Sequence, residues 1–172
     1  MSEKPSAPAR NPLDMIASAH AVQVEMCDAM ERIADSLPDE VDRRLCAQVA
    51  SCLQFDLPLH HHDEEEGLFP LLRRRASPEE GLDKILERLA AEHSFDNDFA
   101  SEIAEALETL GQGGRPGNPE MLGYMLRGFF ERYRRHVHWE NQLVMPLARL
   151  RLTQDDLDAL LARMNENRRQ AG

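Results

Sequence analysis

Two segments of this chain set a histidine four residues ahead of a glutamate: His60 with Glu64, and His136 with Glu140. His20 and His93 each fall singly among apolar residues. On a helix the four-residue spacing is one turn, about 6 Å of rise, so both side chains of a pair can reach one centre. An ionised carboxylate on a buried stripe is costly unless it is paired or bound to a cation. No Lys or Arg shares these stripes, which leaves metal ions as the counter-charge. Imidazole with carboxylate suits iron, manganese or zinc, and the absence of clustered thiolate argues against iron–sulfur and soft-metal sites. Two carboxylates able to bridge and four terminal imidazoles satisfy two metals rather than one. His61 with Glu65 keeps the same spacing and forms a competing register.

The pairs belong to a longer internal match. Aligning Pro70 with Pro146 superposes HHHDEEEGLFPLL, from His60, on HVHWENQLVMPLA, from His136. His60 falls on His136, His62 on His138, Glu64 on Glu140 and Leu71 on Leu147. Composition alone does not give His, Glu and Pro at equal offsets. The His61/Glu65 register would break this match.

Positioning these residues requires helices, and the chain reads as all-α. Val, Ile and Thr are scarce, and no segment alternates with a period of two. Asn11-Pro12 and Asn118-Pro119 each put a capping residue before a proline at the first helical position. Ser77 with Glu80 is a capping box, and Thr153 with Asp156 a weaker start. GQGGRPGN, residues 111–118, is the clearest loop. Helices are expected at about 12–36, 39–75, 79–110 and 119–150, with a shorter fifth at about 154–168. Ser36 or Leu37 would cap the second, ahead of Pro38. Four long helices with short connections predict an up-down-up-down four-helix bundle with a short extra C-terminal helix.

Steps of three and four give each long helix one inward face. The first reads Leu13, Ile16, His20, Val24, Cys27, and the second Val49, Leu53, Leu57, His60, Glu64, Leu68, Leu71. The third reads Leu82, Leu86, Leu89, His93, Asn97, Ala100, Ile103, Leu107. The fourth reads Leu122, Phe129, Tyr133, His136, Glu140, Leu143, Leu147. Every long helix therefore aims a histidine at the bundle axis. His62 and His138 fall off that face, Tyr133 and Trp139 are expected to pack, and Asp63 to Glu66 reads in part as a solvated face. Pro58 should kink the second helix just before His60. Cys27 reads as core packing.

One His on the first helix, H-x-x-x-E on the second, Glu-His on the third and H-x-x-x-E on the fourth resembles the hemerythrin (HHE cation-binding) family. The likeness covers about residues 11–150. HHHDEEEGLFP, AEHSFDND and HVHWENQLVMP resemble its bacterial members in particular. The resemblance implies a hemerythrin-like bundle over residues 11–170, after a flexible tail at 1–10. It implies two iron ions (Fe2+/Fe3+), with an oxo, hydroxo or water bridge. His20 and His60 would hold one, His93 and His136 the other, and Glu64 and Glu140 would bridge them. Oxygen-carrying members have a second histidine one turn after the third-helix ligand, where this chain has Asn97. That departure implies an open position on one iron and favours reactivity over oxygen transport. The implied partners are a small diatomic gas (oxygen or nitric oxide) or peroxide, with a protein signalling partner for a sensor. An oxidoreductase consuming peroxide or nitric oxide is the alternative, as is iron handling or repair of iron centres. The cysteine-bearing N-terminal domain of the repair proteins is not among these residues.

Bulk properties agree with such a domain. A length of 172 residues suits one core, and a net charge of −11 disfavours nucleic acid and anionic membranes. Arg73-Arg74-Arg75 falls at a helix end, where positive charge complements the dipole. The first ten residues carry no apolar core and no run approaches a membrane span, so neither a signal peptide nor an anchor is expected. Three cysteines without a C-x-x-C pair fit a reducing compartment, and a cytoplasmic address is expected.

Overall fold

The computed structural model describes residues 11–171; residues 1–10, expected to form a flexible tail, lie outside the described residues. Helices account for nearly all of it, and no strand occurs among the described residues. We number them α1 (Pro12–Ser36), α2 (43–75), α3 (Leu82–Gly111), α4 (119–151) and α5 (Gln154–Ala171). None is long and apolar enough to cross a membrane.

The starts follow side-chain chemistry. Asn11 Oδ1 accepts from the Leu13 amide and Asn118 Oδ1 from the Met121 amide, each ahead of a proline with no N–H to satisfy. α2 begins later than expected. Residues 37–42 are turn and extended chain, and Asp42 caps the helix by accepting from the Arg44 and Leu45 amides. The Ser77/Glu80 box closes a single 3-10 turn, Pro78–Glu80. Gly81, at φ 62°, then turns the chain into α3, a left-handed conformation that favours glycine.

The long helices α2 and α4 are not uniform. Three five-residue π turns interrupt them, Cys52–Asp56, Glu64–Leu68 and Glu140–Val144. Each is closed by the amide just ahead of a proline: Leu57 to the Cys52 carbonyl, Phe69 to Glu64, and Met145 to Glu140. Pro58, Pro70 and Pro146 follow directly. A proline inside a helix lacks the N–H for the carbonyl four residues back and its ring crowds that carbonyl. One extra residue in the turn relieves the crowding, so the expected kink at Pro58 takes the form of a π turn ahead of it.

The extra residue also shifts the inward face. Beyond Glu140 the buried positions are Val144, Met145 and Ala148, whereas Leu143 and Leu147, expected inside, are only half-buried. On α1, Gln23 and Met26 are buried, and Val24, expected inside, faces outward.

Apolar side chains form two cores. One gathers Met30, Leu53, Ile103, Phe129 and Tyr133; the other gathers Ile16, Leu68, Phe69, Leu86 and Met145. Between them lies a polar layer. Along α1 and α3 the chain passes from the second core through the histidine to the first, and along α2 and α4 in the reverse order.

α5 lies against α2. At its start Asp156 accepts from Arg75 Nε at 2.7 Å and from the Thr153 amide, contacts that hold its carboxyl well below the usual range. Near its end Asn167 and Arg168 each donate to Asp63 at 2.9 Å. Asp63 is thus buried and paired, not part of a solvated acid face. Between these clamps, a Cβ on Gly67 would stand 2.7 Å from Leu160 Cδ1, so the absence of a side chain there lets α5 seat closely.

Candidate metal centre

The polar layer holds five buried histidines, one each from α1, α3 and α4 and two from α2. It also holds Glu64 and Glu140, both fully buried. The π turns at Glu64–Leu68 and Glu140–Val144 begin on these two glutamates, so each carboxylate leaves its helix where the backbone widens.

The six residues expected to form the site come together. His20 Nε2 stands 3.4 Å from Glu64 Oε1 and 3.2 Å from Glu140 Oε2. His60 Nε2 is 3.4 Å from Glu64 Oε2. On the other side, His93 Nε2 is 3.4 Å from Glu64 Oε2 and 3.5 Å from Glu140 Oε1, and His136 Nε2 is 3.2 Å from Glu140 Oε1. Each carboxylate therefore faces imidazoles on both sides.

None of these approaches satisfies the oxygens. All four carboxylate oxygens, with Nε2 of His20 and of His60, are buried without a hydrogen-bond partner. Leaving so many polar atoms unpaired in a dry layer would cost several kcal/mol, whereas cations among them use every lone pair. The donors fit metal on chemistry as well as burial. His20, His60, Glu64 and Glu140 offer ligand atoms all within 4.8 Å of one another, and so do His61, His93 and His136.

Proton affinities carry the same message. Burial opposes charge on His20, but Glu140 and Glu64 outweigh it and push its pKa up to about 10. His93 goes the same way to about 10, burial being overcome by Glu140 and Glu65, and His136 is raised against burial by Glu140. Burial alone would raise the Glu140 carboxyl, yet His136, His20 and His93 hold it well below its ordinary range. Protons can thus occupy the electrostatic role of a cation, and a metal would have to displace them.

Outer groups fix the rings. His20 Nδ1–H donates to Asn141 Oδ1 at 2.8 Å, His93 Nδ1–H to Glu65 at 2.9 Å, and His136 Nδ1–H to Glu92 at 3.0 Å. With Nδ1 protonated, Nε2 presents its lone pair inward, the arrangement typical of metal-binding histidines. Tyr133, fully buried, stacks on His136 at 5.5 Å and donates its O–H to His61 Nε2 at 3.1 Å.

His61 is the residue sequence reasoning set aside. In sequence His60 and His61 offer rival registers, yet both are buried, His60 beside His20 and His61 stacked on His93 at 4.0 Å. α2 packs between α1 and α3, so adjacent positions can each face a different inner neighbour. His62 and His138 are exposed, as expected, and so is Trp139, which was expected to pack. Trp139 instead lines a groove of about 860 Å³ with Lys84, Arg132 and Arg135, to which Glu92 and His136 also contribute. Burial raises the Cys27 thiol to about 12, in keeping with core packing.

A family model described as the hemerythrin HHE cation binding domain matches residues 11–148. Neither a curated protein nor a solved structure gives a significant match to the chain.

Proposed function

Because the chain belongs to the hemerythrin HHE cation-binding domain family, we propose that it holds two iron ions between Glu64 and Glu140 and uses them to bind or sense oxygen, nitric oxide or an oxidant. His20 and His60 would hold one ion and His93 and His136 the other, with Glu64 and Glu140 supplying the carboxylates between them. The alternating passage of the four long helices through the two cores supports an up-down-up-down bundle around the pair. The observation that carries the reading is the set of four unpartnered carboxylate oxygens, each flanked by imidazole nitrogen in a fully buried layer. Bound iron would supply electrons and open coordination sites for a small oxidant. The protein's part is positional. Asn141, Glu65 and Glu92 lock ring orientation, and the two cores exclude bulk water above and below. Glu65 and Glu92 can also hold the Nδ1 proton as charge changes at Nε2.

A second reading, an oxidoreductase that consumes peroxide or nitric oxide, draws on the groove that His136 and Glu92 help to line beside the centre. Turnover with an added reductant supports it, and stoichiometric oxidation alone supports the sensor.

Anaerobic reconstitution with ferrous iron tests the proposal. Two irons per chain, with new visible absorption on exposure to air, are expected. One iron or none, with no spectral change, overturns it.

A further inference from the structure

We infer that His61 is a seventh protein ligand, the third imidazole on the ion held by His93 and His136, taking from α2 the role that Asn97 cannot play on α3. The inference rests on the two-metal reading above.

Two independent features converge on this ring. His61 is built like three of the other inward histidines, His20, His93 and His136, because its Nδ1–H donates to Asn97 Oδ1 at 2.8 Å as His20 donates to Asn141. That bond fixes the tautomer and leaves the Nε2 lone pair on the inner side. The exposed His62 and His138 have no such anchor among the described residues.

The ring also stands in the right company. His61, His93 and His136 each offer a nitrogen within 4.8 Å of the others, and the Nε2 atoms of His93 and His136 are 3.1 Å apart. A ring bound through Nε2 has its centroid about 3.2 Å from the ion, so two rings on one ion are separated by at most about 6.4 Å. The three pairs here stand 4.0, 4.9 and 6.2 Å apart, within that limit. The His61 ring, stacked nearly parallel on His93 with its Nε2 on the Tyr133 hydroxyl, would have to turn out of that stack to bring its lone pair onto the shared ion.

The competing role is a satisfied core histidine, since Tyr133 O–H donates to the same Nε2. A metal and that proton compete for one lone pair, so the two roles separate on substitution. Ferrous titration of His61→Ala should fill one site as in wild type and weaken the second at least about tenfold, the usual cost of disturbing a ligand set. Free imidazole should restore the second ion. Tyr133→Phe should keep both. If His61→Ala binds two irons with wild-type affinity, or if Tyr133→Phe reproduces its loss, His61 is not a ligand. Should His61→Ala fail to fold, wild type decides the matter. The ferrous protein should show a contact-shifted Nδ1–H assigned to His61 beside those of His20, His93 and His136, and a His61 ring without a contact shift would overturn the inference. Wild type that binds fewer than two irons would instead defeat the two-metal reading itself.

Discussion

The segments beginning at His60 in α2 and at His136 in α4 match in sequence, and the structure shows where the match stops. His60 and Glu64 do on one side what His136 and Glu140 do on the other, down to the π turn that starts on each glutamate and ends before a proline. The positions that differ are as informative. His61 falls on Val137, Asp63 on Trp139 and Gly67 on Leu143. Each exchange adds something to α2 that α4 lacks: an extra inward imidazole, a carboxylate that clamps α5, and a gap that admits Leu160. α4 instead leaves Trp139 exposed on a groove. What the copies share makes the centre, and what they do not share makes it lopsided.

The shared part should break symmetrically and with the largest effect. Glu64→Gln and Glu140→Gln keep side-chain volume but remove the bridging charge, and each should lose both ions rather than one. At metal concentrations of about 100 times Kd, a bound ion adds about 2.7 kcal/mol of stability. Wild type should therefore melt well above its metal-free form, and neither variant should respond to iron. A variant that still takes one ion tightly would mean that its glutamate serves a single metal. A metal-independent melt in wild type would reduce the layer to an incidental cluster.

Next comes a reversal with pH. In the metal-free protein His20 and His93 titrate near 10 instead of 6.5. A histidine whose folded pKa is raised stabilises the fold fully below about 6.5 and loses that contribution as pH rises through 10. Metal-free protein should thus weaken between pH 6.5 and 10. The loaded protein should respond in the opposite direction, because protons compete for the same nitrogens and acid should strip the metal. Melts across pH with and without iron give both slopes, and parallel slopes would dissociate the metal from these histidines.

Much of this was legible beforehand. The caps at Asn11 and Asn118 and the five helices follow from spacing, and the six residues named from spacing and from the family resemblance lie together in the buried layer. What periodicity could not carry was the π turn. It inserts one residue, so Val144 and Ala148 replace Leu143 and Leu147 inside. The prolines at 58, 70 and 146 were its visible signal. Asp63 looked like part of a solvated acid run because its partners, Asn167 and Arg168, lie about a hundred residues away. That His60 and His61 would both turn inward, rather than one or the other, was not legible for a related reason. One helical stripe admits one histidine per turn, but a helix with inner neighbours on two sides can use two adjacent positions.

The unshared part should yield smaller, one-sided effects. Asp63→Ala removes the acceptor of Asn167, which is buried, and of Arg168. Leaving a buried amide unsatisfied costs about 1–3 kcal/mol. The loss should appear in the melt and as faster amide exchange in the second half of α5, with iron binding preserved. Loss of iron together with α5 protection would instead show that the clamp tunes Glu64, its neighbour in sequence.

Gly67→Ala should have the least effect, because two terms oppose each other. Replacing an interior helical glycine by alanine favours the helix by about 1 kcal/mol. Against this, the new Cβ would lie 2.7 Å from Leu160 Cδ1, inside normal contact distance, so the leucine must turn away from its place against α2. That methyl is the end of a flexible side chain, and a rotamer change of about 0.5–1.5 kcal/mol meets most of the clash. The melt should move by no more than about 1 kcal/mol, while exchange around Leu160 should quicken. Gly67→Leu would copy the residue that α4 carries at this point and cannot be relieved by one rotamer. If α5 stays protected even then, its seating does not depend on the gap, and the clamps at Asp63 and Asp156 hold it alone.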